Sequence, residues 1–94
     1  MSTNSKEFLL AAQIVKELKT TPSDNDLLEL YGLYKQATIG NNNQPEPGFL
    51  DFKGKSKHAA WLKNKGKDTY DSEVEYITLV NNLINKYGVA KQLG

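Results

Sequence analysis

The chain has 94 residues, 38% of them hydrophobic and 24% charged, and no cysteine. One domain fits this length and two ordinary ones do not; the missing thiols exclude a disulfide framework, a thiolate metal site and a cysteine nucleophile. Twelve basic residues against eleven acidic ones leave a net charge of +1, too small for a bulk field that favours nucleic acid or membrane.

A small domain without covalent staples is held by packing alone, which fits a reducing compartment such as the cytoplasm. The apolar run Phe8-Leu9-Leu10-Ala11-Ala12 is too short to span a bilayer and lacks the basic flank and cleavage site of a signal peptide. All twelve basic residues are lysine. Any anion site must therefore use compact ammonium groups, not the bidentate guanidinium fork.

Four helices are predicted in chain order. Phe8, Ala11, Ala12, Val15 and Leu18 recur at three- and four-residue spacing, which predicts a first helix over 5–18, ended by the segment leading to Pro22. Ser23 followed by Asp26 is a variant of the capping box and opens a second helix through Leu27, Leu30, Tyr31, Tyr34 and Thr38, with Gly40 at its C-terminal cap. Residues 41–48, rich in Asn and Pro, form a surface loop inside the same domain. Asp51 opens a third helix to about residue 65, in which Gly54 is a weak point. Asp68, with Asp71 at the third helical position, opens a fourth that reaches 86 or 87, with Lys86 at its dipole-favoured end. No period-two run of β-branched residues occurs. The fold class is all-α, one domain over 1–94 with a core of about 5–88.

Two features stand out as candidate chemistry. On the second helix Tyr31, Tyr34, Lys35 and Thr38 fall within an arc of about 100°. On the third, Lys53 and Lys57 are one turn apart and Trp61 continues the row, within a stretch of six lysines from 53 to 67 that holds no acid. One reading makes both tyrosines half-buried core residues and the lysines a solvated face. The other makes a site in which rings take a flat aromatic group while Lys35 and Lys57 hold phosphate. Spacing alone leaves both open.

Residues 31–40, Tyr-Gly-Leu-Tyr-Lys-Gln-Ala-Thr-Ile-Gly, resemble the signature Tyr-x-x-Tyr-Lys-Gln-Ala-Thr-x-Gly of the acyl-CoA-binding protein family. The resemblance continues through Pro47-Gly48-Phe49-Leu50-Asp51-Phe52-Lys53-Gly54-Lys55-Ser56-Lys57, Ala60-Trp61, Tyr76-Ile77 and Lys86-Tyr87-Gly88. It implies an up-down-down-up four-helix bundle that binds long-chain acyl-CoA esters without covalent chemistry. By that resemblance Tyr31, Lys35 and Lys57 contact the 3′-phosphate of CoA, Lys16 approaches the phosphate region, and Tyr34 supports the adenine. Tyr76 lines the site near the pantetheine, and Leu27, Leu28 and Phe52 cover the acyl chain. The resemblance also implies a packing cluster of Phe8, Ala12, Val15, Leu18, Tyr76, Ile77, Val80 and Leu83. His58 departs from the pattern, since most members carry Trp there; by the resemblance it faces the ligand and changes one aromatic wall of the site, and the alternative is a solvated histidine on the outer face of the third helix.

Nothing in the sequence assembles a catalytic constellation: His58 is the one histidine, and no His/Asp/Glu cluster has metal spacing. The expectation is a monomeric binding protein for medium- to long-chain acyl-CoA, not an enzyme, with no cofactor and no nucleic-acid partner. Contacts with membranes or acyl-CoA-using enzymes are expected to be transient at most. The alternative is a helical interaction module whose lysine-rich third helix meets an acidic protein or nucleic acid.

Overall fold

A computed structural model describes residues 4–90. Four helices carry the fold: α1 Lys6–Ile14, α2 Asp24–Thr38, α3 Phe52–Leu62 and α4 Thr69–Tyr87, with a 3₁₀ turn, Val15–Glu17, after α1. Each start is set by a side-chain cap that satisfies an otherwise orphaned backbone N–H. Ser5 accepts from Phe8 N at 3.1 Å and Ser23 from Asp26 N at 3.1 Å. Asp51 accepts from Gly54 N at 2.9 Å and Asp68 from Asp71 N at 2.8 Å. Gly54 is more than a weak point, because a Cβ there would run into the capping Asp51 carboxylate.

Two ends differ from the periodicity. The apolar stripe of 5–18 is continuous, but the α-helix stops at Ile14 and Leu18 is extended. The backbone there is taken by the chain after α4: Lys19 N donates to Gly88 O at 2.9 Å and Ala90 N to Glu17 O at 2.7 Å. Leu18 and Val89 thus form an isolated antiparallel bridge. Val15 and Leu18 still pack on the core, which is why the stripe reads as unbroken helix. Gly88 makes the turn possible with φ of 76°, a conformation that costs glycine little and other residues much.

α3 likewise ends at Leu62, not near 65. The side chain of buried Asn64 donates to Ala60 O at 3.1 Å, taking the carbonyl that a further helical turn would use. The next residues close as tight turns, Asn64 N on Trp61 O at 3.1 Å and Lys65 N on Leu62 O at 3.0 Å.

The residue pairings fix the helix directions. Between α1 and α4 the numbers rise together: Ser5 N donates to the Glu73 carboxylate at 3.1 Å, and Phe8 meets Tyr76 with ring centroids 5.0 Å apart. Between α2 and α4 they run oppositely. Asn4 bridges Ala37 O and Glu73 at 3.0 and 2.7 Å, and Tyr34 lies 6.0 Å from Tyr76. Between α2 and α3 they rise together again, Tyr31 meeting Lys57 and Lys35 meeting Trp61. The order is up-down-down-up.

α2 is the shared wall, packed on α4 by one face and on α3 by another. Phe8, Ala11, Leu30, Leu33, Ala37, Tyr76, Val80 and Leu83 form the buried core between α1, α2 and α4. Gly32 faces the other way. A Cβ there would collide with the Ala60 carbonyl and come within 2.9 Å of the Asn64 amide nitrogen, so glycine sets how closely α3 lies against α2.

Candidate ligand-binding site

The parallel run of α2 and α3 places two residues per helix one turn apart, Tyr31 and Lys35 facing Lys57 and Trp61. The partners cross: Lys57 Nζ lies 4.8 Å from the Tyr31 ring centroid, and Lys35 Nζ lies 5.0 Å from that of Trp61. Both cations thus rest on neutral aromatic faces, an electrostatic attraction that leaves their charge uncompensated. Among the described residues the side-chain ion pair is Lys67–Glu75 at 2.7 Å, so neither Lys35 nor Lys57 has a carboxylate partner. Trp61 itself is buried, and its Nε1–H donates to Gly40 O at 2.7 Å, which fixes the ring against the end of α2.

Two open grooves meet beside this patch, each of about 600 Å³. The first lies between α2 and α3, lined by Asp24, Leu27, Leu28, Tyr31, Phe52, Lys53, Ser56 and Lys57. The second lies against α1, lined by Leu9, Ala12, Gln13, Val15, Lys16, Leu27, Leu30, Tyr31, Tyr34 and Tyr76. Leu27 and Tyr31 belong to both and form the ridge between them. Their volumes fall within the roughly 300–1,000 Å³ usual for small-molecule sites.

The floor of the α1-side groove is aromatic. Phe8 stacks on Tyr34 with centroids 5.5 Å apart, and both meet Tyr76. Tyr76 is buried, and the loss of water around its phenol, with a smaller contribution from Tyr34, pushes its pKa up to about 12. It is a neutral hydrogen-bonding group at any physiological pH.

Of the residues singled out in the sequence, Leu27, Leu28, Tyr31, Phe52 and Lys57 line the α2–α3 groove, and Lys16, Tyr34 and Tyr76 line the α1-side groove. Lys35 joins them through Trp61. His58 lines neither groove. It is half-buried on the loop side of α3, its Nε2 3.1 Å from Gln44 O, while Asn42 Nδ2 donates to the His58 carbonyl at 3.1 Å. Thr38 keeps its place on the shared arc, but its hydroxyl is turned onto its own helix, donating to Tyr34 O at 2.8 Å.

Several supporting residues were not legible as such. Trp61 was visible as the residue one turn after Lys57, but its bond to Gly40 carried no sequence signal. Gln36 is almost wholly buried, and its amide donates to Asn41 Oδ1 and Lys67 O, both at 2.9 Å. Asn41 Oδ1 also accepts Gly66 N at 2.8 Å. The Asn-rich loop, neutral for function in its composition, thus ties the end of α2 to the turn after α3 and holds the cationic patch in place.

The family model described as "Acyl CoA binding protein" matches residues 5–80. The acyl-CoA-binding protein homolog of Drosophila melanogaster is 49% identical over 83 residues, covering 88% of this chain and 96% of the relative. The acyl-CoA-binding protein of Saccharomyces cerevisiae is 51% identical over 83 residues, covering 88% and 95%. The crystal structure of Oryza sativa acyl-CoA-binding protein 2 is similar with a TM-score of 0.82 at 40% identity, covering 86% of this chain and 90% of that one. Its fold class is therefore the four-helix bundle of a family of binding proteins. The chain belongs to the acyl-CoA-binding protein family.

Proposed function

We propose that this chain, as a monomeric single domain, binds medium- to long-chain acyl-CoA esters reversibly and buffers and carries them without altering them chemically. The observation that carries this reading is the crossed pair of lysines on aromatic rings at the meeting of two grooves. In the proposed complex Lys35 and Lys57, with the Tyr31 hydroxyl, hold the 3′-phosphate of CoA. Tyr34, Tyr76 and Lys16 serve the adenine, pantetheine and phosphate groups from the α1-side groove. Leu27, Leu28 and Phe52 cover the acyl chain in the α2–α3 groove. His58 acts at one remove, by holding residues 42–44 against α3.

The physical logic is that of an amphiphile carrier. An acyl-CoA in water partitions into membranes and micelles, so a carrier must mask its tail; each buried methylene contributes about 0.8 kcal/mol. Charge-assisted bonds to phosphate then distinguish CoA esters from free fatty acids. No group of three or more His, Asp or Glu side chains among the described residues is placed to hold a metal ion. No described helix is long and apolar enough to cross a membrane. The proposed carrier works in the cytoplasm.

Calorimetric titration with palmitoyl-CoA and with palmitate tests this reading. One palmitoyl-CoA per chain is expected, with palmitate far weaker. Equal affinity for the two would mean that the CoA head is not recognised.

A further inference from the structure

Three of the four most exposed large apolar side chains lie within four positions: Phe49 at 75%, Leu50 at 72% and Phe52 at 72%. They stand at the turn that enters α3, where Asp51 N donates to Gly48 O at 2.9 Å. Pro45 and Pro47 stiffen the approach to that turn. Phe49 and Leu50 line neither groove and are not part of the buried core. Exposure of this kind opposes solubility, and a contiguous run of it marks an interaction surface.

The charge around the run names the partner. Lys53, Lys55 and Lys57 follow directly, and no acid occurs from Phe52 to Lys67. Of the acids at this end, Asp51 is turned onto Gly54 N at the start of α3, where the helix dipole offsets it, and Asp24 lies across the groove. Glu46 precedes the run in the loop, and Asp26 and Glu29 belong to α2. Bulky apolar side chains at a tip, backed by long flexible cations without any guanidinium, suit a surface that is apolar beneath and diffusely anionic above. A shaped protein pocket would demand fixed, directional contacts instead.

We propose that the turn of Phe49 and Leu50, with the lysines of α3 behind it, docks this protein on anionic lipid bilayers. The apolar tip enters the headgroup boundary while the ammonium groups stay at the level of the lipid phosphates. Docking does not require a bound ligand. Because Phe52, Lys53 and Lys57 continue the same segment into the α2–α3 groove, it would turn the mouth of that groove to the lipid; this consequence alone rests on the acyl-CoA reading.

The test is co-sedimentation of the full chain with phosphatidylcholine vesicles, with and without phosphatidylserine, and no acyl-CoA present. Binding is expected only with phosphatidylserine, weakening with salt as the lysine attraction is screened. The double variant F49S/L50S is expected to lose about tenfold or more in vesicle binding, since two large apolar groups no longer enter the boundary. Its helical melting and its palmitoyl-CoA affinity without vesicles should match the wild type. Lys55→Glu, outside both grooves, should lower binding to phosphatidylserine vesicles and leave palmitoyl-CoA binding intact. Equal wild-type binding to both vesicle types, none to either, or an F49S/L50S protein that sediments like the wild type would overturn the proposal. So would a wild-type dimer that F49S/L50S dissociates, which would assign the turn to a second copy of this chain. None of these outcomes depends on whether palmitoyl-CoA binds.

Discussion

The Lys35 ammonium lies 5.0 Å over the Trp61 ring, and Trp61 is itself pinned by its 2.7 Å bond to the Gly40 carbonyl. The cation is therefore positioned by a residue on the neighbouring helix that is anchored back to the end of the cation's own helix. A carboxylate could have held Lys35 as firmly but would have neutralised it. Trp61→Phe keeps an aromatic face and removes the anchor, leaving the half-buried Gly40 carbonyl without that donor. A loss of about 1–2 kcal/mol in stability is expected from urea unfolding, the usual range for a stranded hydrogen-bonding group. A weaker affinity for palmitoyl-CoA should accompany it. A variant with wild-type stability and affinity would show that Trp61 does not position Lys35.

Gly32 offers a test of the helix spacing that brings the crossed pairs together. Valine there would press on the Ala60 carbonyl, a backbone atom that cannot rotate away. Overpacking of this kind costs about 1–3 kcal/mol. Gly32→Val should therefore unfold at a lower temperature by calorimetry and, by moving α3 away from α2, weaken palmitoyl-CoA binding. An unchanged melting temperature would mean that α2 and α3 are farther apart than described.

The helices with sharp local chemistry could be read from sequence alone. Ser23, Asp51 and Asp68 each announced a helix start, and each makes the bond its type implies. The ends of α1 and α3 could not be read in the same way. Leu18 leaves the helix because Val89, seventy-one positions later, pairs with it, while the three- and four-residue spacing of apolar side chains continues regardless. Asn64 ends α3 through a bond to Ala60 that becomes possible only when that side chain is buried against α2. The candidate site divides along the same line. Tyr31, Tyr34 and Lys35 share a face by helical arithmetic, but the crossing of Lys57 onto Tyr31 depends on two helices lying parallel. His58 was legible as a departure, whereas its bond to Gln44 O depends on how the loop folds back.

Tyr76 links stability to alkaline pH. In the unfolded chain its phenol ionises near the ordinary value of 10.0, and in the folded protein burial delays this to about 12. Below the first value both states hold the proton and stability is complete. Between the two the unfolded state releases a proton that the folded state keeps, so stability falls as pH rises, by about 1.4 kcal/mol per unit. Relative to the wild type, Tyr76→Phe should lack this component, and the difference between their unfolding free energies should shift by about 2–3 kcal/mol across that window. Urea unfolding of both proteins at matched pH values isolates it, because the other tyrosines and the lysines cancel in the difference. A constant difference would mean that the Tyr76 phenol is not buried.

The measurement that bears most directly on the account is a double-mutant cycle of Lys35→Ala and Lys57→Ala, titrated by calorimetry with palmitoyl-CoA and with its 3′-dephospho analogue. Each single variant is expected to lose about 1.5–3 kcal/mol of affinity for palmitoyl-CoA, the range for hydrogen bonds to charged groups. The double variant should lose less than the sum, because both lysines act on one phosphate. With the dephospho analogue all four proteins should bind about alike. Losses that add, and that persist when the 3′-phosphate is absent, would contradict the account and place the two lysines on some other part of the ligand.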